Sequence, residues 1–129
     1  MITSDNKNDV KPTTAIVVDD DHDIVDVFCE YLELKNVSVL GKGYNGKDAI
    51  EMYQKFRPDV VFLDVMMPDY TGFYALEKIK RISPDAKVII TTADQAEETE
   101  NRLVELDASY IVYKPIELYS MKIFGVKKE

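Results

Sequence analysis

Carboxylates, a lysine and a threonine stand at the ends of short apolar runs in this chain, and their grouping decides what chemistry is open to it. Asp19, Asp20 and Asp21 follow the run Ala15 to Val18, and Asp64 follows Val60 to Leu63. Thr91, Thr92 and Asp94 come after Val88 to Ile90, and Lys114 with Pro115 comes after Tyr110 to Tyr113. A single aspartate at a strand end is ordinarily turn or N-cap chemistry. Several converging acids need another account. If the first and third runs are neighbouring strands, Asp19 or Asp20 faces Asp64 across roughly 5 Å, one strand spacing. Two negative charges at that separation repel by about 3 kcal/mol at an effective dielectric of about 20. Either one acid keeps its proton or a hard divalent cation lies among them, and carboxylate-plus-water sites select magnesium.

Asp64 also has the chemistry of a nucleophile, since carboxylates accept phosphoryl groups covalently. Such a transfer needs positioning and neutralisation of the phosphoryl oxygens, and little else. Lys114 binds phosphate as a point charge, Thr92 offers a hydroxyl donor, and Pro115 suits the first position of a following helix. A donor that is already a reactive phosphoramidate needs no general base.

The elements that must position these groups alternate along the chain. Val37 to Leu40 completes a set of five apolar runs short enough to be strands buried on both faces. Helical spacing separates them: Ile24, Val27, Phe28 and Tyr31; then Ala49, Ile50, Tyr53 and Phe56 after Gly46; then Phe73, Leu76, Ile79 and Lys80, closed by Ser83-Pro84. Gln95 to Leu106 is expected to be helical, and a short fifth helix is expected from Ile116 to Phe124. Five β-α pairs mean an α/β fold, a doubly wound parallel sheet with helices on both faces and right-handed crossovers. Ligands of such sheets bind beyond the carboxyl ends of the strands, where the acids and Lys114 stand.

Composition narrows the function classes. A chain of 129 residues fits one domain, with residues 1–12 read as a disordered tail and 13–129 as the folded unit. Sixteen basic against 24 acidic side chains leave a net charge of −8, without the basic footprint of a nucleic-acid binder. Cys29 is the only cysteine and His22 the only histidine, so internal disulfides and sites needing two of either residue are excluded. No apolar run approaches the ~20 residues of a membrane span, and the polar amino terminus is no signal peptide. A cytoplasmic protein without membrane insertion is expected.

Four motifs then carry a family resemblance. Val17-Val18-Asp19-Asp20-Asp21, Phe62-Leu63-Asp64-Val65-Met66-Met67-Pro68-Asp69-Tyr70-Thr71-Gly72-Phe73, Thr92-Ala93 and Lys114-Pro115 follow in order. Together they resemble the receiver domain of bacterial and archaeal response regulators of two-component signalling, over about residues 14–126. The resemblance implies a flavodoxin-like sheet of order 2-1-3-4-5. It implies Asp64 as phosphoacceptor, with Thr92 and Lys114 contacting the phosphoryl group. Magnesium would be held by Asp19, Asp20, Asp64 and the main-chain carbonyl of Met66, and the Lys114-Pro115 peptide would be cis. The phosphodonor would be a sensor histidine kinase or a histidine phosphotransfer protein. Output would pass by contact with a downstream protein from a stand-alone, chemotaxis-regulator-like domain, a monomer or weak dimer through the helix 4, strand 5 and helix 5 face. Such a protein is not an enzyme beyond its own phosphorylation and dephosphorylation.

One position departs from the family pattern. The usual aromatic switch residue, three before the lysine, is Ile111, with Tyr110 and Tyr113 nearby, so Thr92, Ile111, Tyr110 and Tyr113 are the switch candidates. The moving element is expected between Thr91 and strand five, because helix four has few apolar anchors (Ala96, Leu103, Val104, Leu106). A mid-phosphorelay carrier is the alternative role. A different alternative is a dinucleotide-binding module, since Gly41-Lys42-Gly43-Tyr44-Asn45-Gly46 spells GxGxxG, with Asp64 18 residues after Gly46, near the spacing of a ribose contact. That reading leaves Asp19, Asp20 and Lys114 without work.

Overall fold

A computed structural model describes residues 11–114. The first ten residues, the Lys114-Pro115 peptide and the expected fifth helix lie outside the described residues. Within them, the strands are β1 (Thr14–Val18), β2 (Ser38–Gly43), β3 (Val60–Asp64), β4 (Lys87–Thr92) and β5 (Tyr110–Tyr113). The helices are α1 (His22–Leu34), α2 (Gly46–Phe56), α3 (Gly72–Ile82) and α4 (Glu97–Glu105). All strand pairs are parallel, and the order is β2-β1-β3-β4-β5, as the resemblance implied.

The apolar runs are continuous because both faces of the sheet are covered. Ile16, Val18, Val61, Leu63, Val88 and Ile90 pack against Ala49 and Tyr53 of α2, Ala75, Leu76 and Ile79 of α3, and Leu103 of α4. The alternate residues, Ala15, Val17, Val60, Phe62 and Ile89, face Val25, Phe28, Cys29 and Leu32 of α1. Phe28 meets Phe62 edge to face, with ring centres 4.8 Å apart.

Three sequence expectations are corrected. Helix α1 buries Val25, Phe28, Cys29 and Leu32, one residue on from the expected stripe, and Val27 is 59% exposed. Both stripes have the same i, i+3, i+4, i+7 spacing, so periodicity alone does not choose between them. Helix α4 is shorter than Gln95 to Leu106, and Val104 on it is exposed. Strand β2 runs on through Gly41 and Gly43, so these glycines form no phosphate loop and the dinucleotide reading falls. Their role is close packing: a Cβ at either would lie 2.7 Å from Met52 of α2.

Candidate functional site

Alternation along the strands brings the charged groups together at the carboxyl rim. On the α1 side of the sheet β1 presents Ala15 and Val17, β3 presents Val60 and Phe62, and β5 presents Val112. Two residues further along each strand direction come Asp19, Asp64 and Lys114, on that same side. The Lys114 ammonium donates to Asp19 Oδ2 at 2.6 Å and lies 3.5 Å from Asp64 Oδ1. Asp19 Oδ1 accepts from the Asp21 N–H at 2.9 Å. The Asp19 backbone N–H is tied to the Gly43 carbonyl at 3.1 Å, which anchors the rim to β2. Asp21 caps α1, accepting from the backbone of Asp23 and Ile24, so of the three consecutive acids it alone has the local capping role.

Asp19, Asp20 and Asp64 each offer a carboxylate oxygen within 4.8 Å of the others. Asp19 and Asp64 are buried and Asp20 is exposed, which leaves the cluster open at one side. Burial pushes the Asp64 carboxyl up to about 6, and the Asp19 charge adds to the rise, against the pull of Lys114. Burial works against the charge of Lys114, but its hydrogen bond to Asp19 and the charges of Asp64 and Asp19 outweigh it and hold the ammonium above its ordinary value. The donor set of oxygens only, with excess negative charge, fits a hard divalent cation. Met66, exposed between the buried Val65 and Met67, follows Asp64 by two residues on the loop into α3.

That loop is shaped by two glycines. Gly72 opens α3 directly against Asp64: a Cβ there would collide with the Asp64 carbonyl oxygen and the Val65 Cα. Its N–H donates to the Val65 carbonyl at 3.0 Å. Asp69 and Tyr70 are both left-handed, at φ 51° and 49°, a conformation disfavoured for residues with a Cβ. The Gly46 N–H at the start of α2 donates to the Tyr70 carbonyl at 2.7 Å and holds this bend.

Thr92 lies elsewhere than its strand-end position suggests. Asp64 pairs with Thr91 in the β3–β4 register, so alternation turns Thr92 to the opposite side of the sheet, with Ile90 and α4. Its side chain is fully buried and its hydroxyl oxygen accepts from the Asp94 N–H at 3.0 Å. Its register partner is Tyr113. Ile111 packs on the α2–α4 side of the core, whereas Tyr110, the partner of Ile89, is 55% exposed.

Two features escaped the sequence reading. His22 stacks on Tyr44, with ring centres 3.8 Å apart and nearly parallel planes; nothing local signals it, because the partner comes from another βα unit. Asp94 binds the start of α4 through the Ala96 N–H and the Thr99 hydroxyl. An acid just ahead of a helical pattern is a recognisable start signal for that contact.

A parallel doubly wound sheet with a carboxylate-and-lysine cluster at its carboxyl rim defines a class: flavodoxin-like domains whose rim suits a divalent cation. The profile of the response regulator receiver domain matches residues 15–123, and the chain belongs to that family. The protein CcdB of Bacillus subtilis is 36% identical over 105 residues, 81% of this chain and 88% of that protein. The chemotaxis protein CheY of Thermotoga maritima is 28% identical over 103 residues, 80% of this chain and 86% of its own length. In fold, the chain resembles one in the crystal structure of the CheX-CheY-BeF3-Mg2+ complex from Borrelia burgdorferi. The TM-score is 0.83 at 22% identity, with 89% of this chain and 87% of that one covered. The described residues contain no helix long and apolar enough to cross a membrane.

Proposed function

We infer that this chain is a cytoplasmic signalling phosphoacceptor. It takes a phosphoryl group on Asp64 from the phosphohistidine of a histidine kinase or phosphotransfer protein, and it signals by contact with another protein. The observation that carries this is the setting of Asp64: buried, beside Asp19, and paired with a lysine that is held charged. Asp19, Asp20, Asp64 and the Met66 carbonyl would hold magnesium, which when bound supplies positive charge against the carboxylates and the phosphoryl oxygens.

An Asp64 oxygen forms a bond to phosphorus as the phosphorus–nitrogen bond of phosphohistidine breaks. The electron pair leaves with the imidazole nitrogen, which takes a proton from solvent. Lys114 balances charge on the phosphoryl oxygens from one side. The Thr92 hydroxyl, one residue beyond the register partner of Asp64, would serve as a further donor once turned toward the rim. Gly72 packs directly against the Asp64 backbone, and its N–H holds the neighbouring Val65 carbonyl. Among the switch candidates, Tyr113 is favoured, because it shares register and sheet side with Thr92. The exposed apolar side chain of Val104 offers contact area to a partner on the α4 side.

Acetyl phosphate with magnesium, followed by intact mass, tests the reading. Wild type gains one phosphoryl group, and the gain disappears with chelator or with Asp64→Ala. A wild type that gains nothing, or an unchanged gain in the variant, overturns it.

A further inference from the structure

The Thr92 hydroxyl is already engaged in this state of the molecule, and its partner leads directly to α4. Thr92 Oγ1 accepts from the Asp94 N–H at 3.0 Å. The Asp94 carboxylate in turn accepts from the Ala96 N–H at 2.9 Å and from the Thr99 hydroxyl at 2.7 Å. Ala96 stands at the N-cap position and has no side chain to cap with, so Asp94 does that work from two residues upstream. These hydrogen bonds hold the Asp94 carboxyl below its ordinary value, that from Thr99 first and that from Ala96 next.

Among the described residues, little else holds this end of the helix. Leu103 is the one fully buried side chain of α4. The Arg102 guanidinium sits over the Phe73 ring at 4.1 Å, which ties the helix to α3 further along. Glu97, Glu98 and Glu100 follow in the first turn of α4. The backbone of Thr92 is fixed from the other side, because its carbonyl accepts from the Lys114 N–H at 2.8 Å. A change at Thr92 therefore falls on its side chain and on the segment after it.

We propose that Asp94 and Thr99 form a latch between Thr92 and α4 that belongs to the unphosphorylated state. The proposal rests on Asp64 being the phosphoacceptor. Thr92 starts on the α4 side of the sheet, so its hydroxyl must turn across the rim to donate to a phosphoryl oxygen on Asp64. Turning releases the Asp94 N–H, loosens the cap and frees the start of α4. Asp94 and Thr99 are thus positioning residues, acting through Thr92.

The latch has a signed consequence. A bond made only in the resting state opposes phosphoryl binding, so its removal tightens that binding; damage to the fold would weaken it. The test uses beryllium fluoride with magnesium as the phosphoryl analogue on the full chain. Thr99→Val removes the hydroxyl at nearly constant shape, and Thr99→Ser retains it. One partly solvent-exposed hydrogen bond, at the ordinary net worth of such a bond, corresponds to analogue binding about 3- to 10-fold tighter in Thr99→Val, with Thr99→Ser at the wild-type value. Amide exchange at the start of α4 rises in analogue-free Thr99→Val toward the level of the wild-type complex. Unchanged or weaker binding in a folded Thr99→Val overturns the latch alone. A wild type that binds no analogue overturns the phosphoacceptor reading beneath it.

Discussion

Replacing Asp64 by asparagine should stabilise the protein while destroying its function. The Asp64 carboxyl stands at about 6 against an ordinary 3.8, so folding disfavours its charged form by about 2 pH units. At 1.36 kcal/mol per unit, ionised Asp64 works against the fold by about 3 kcal/mol. The sign follows from proton binding. The folded state holds this proton more tightly than the unfolded one, so stability falls as pH rises from the unfolded value through the folded one. The penalty is absent below that window and complete above it. Asparagine keeps the shape and removes the charge, leaving Lys114 to Asp19, its closer partner at 2.6 Å. The assay is urea unfolding of both proteins with chelator present. At about pH 8 the variant should be more stable by about 1–3 kcal/mol, and the gap should close at about pH 3. Magnesium should narrow the gap at about pH 8 by stabilising wild type. A variant less stable at about pH 8, or a gap of equal size at low pH, would refute the argument from burial and like charge.

Asp20 is the exposed member of the acid cluster, so Asp20→Ala should fold normally yet lose most of the thermal stabilisation that magnesium gives wild type, as read by a melting curve with and without the ion. Gly72→Ala drives a methyl into the Asp64 carbonyl; unfolding midpoints should show a loss of about 1–3 kcal/mol or more, with slower phosphorylation by acetyl phosphate. Tyr113→Ala should alter the exchange of α4 amides on analogue binding, whereas Tyr110→Ala, on the other side of the strand, should leave that response in place. Equal effects from the two would remove Tyr113 as the partner of Thr92.

Much of this architecture was open to a reader of the residues because each central strand is buried on both faces and therefore apolar throughout. Asp19, Asp64 and Lys114 stood out for the same reason: polar groups at the ends of such runs have few structural excuses. What stayed hidden depended on packing between distant segments. The α1 stripe could not be chosen without its partner, Phe62 on β3. Strand β2 extends through Gly41 and Gly43 because Met52 fills the space above them, and glycine carries no strand signal of its own. The side of the sheet taken by Thr92 follows from the β3–β4 register, which neither run states alone. The Gly46 to Tyr70 hydrogen bond joins turns from two βα units, and local pattern does not report such a contact.

The central chemistry is a covalent bond between phosphorus and one carboxylate, that of Asp64. An acyl phosphate is reduced by borohydride to an alcohol, which converts a phosphorylated aspartate to homoserine. Wild type treated with acetyl phosphate and magnesium, reduced, digested and sequenced by mass spectrometry should carry homoserine at position 64 and at no other aspartate. Homoserine at position 19 or 20, or an unaltered residue 64 in protein shown to be phosphorylated, would contradict the assignment.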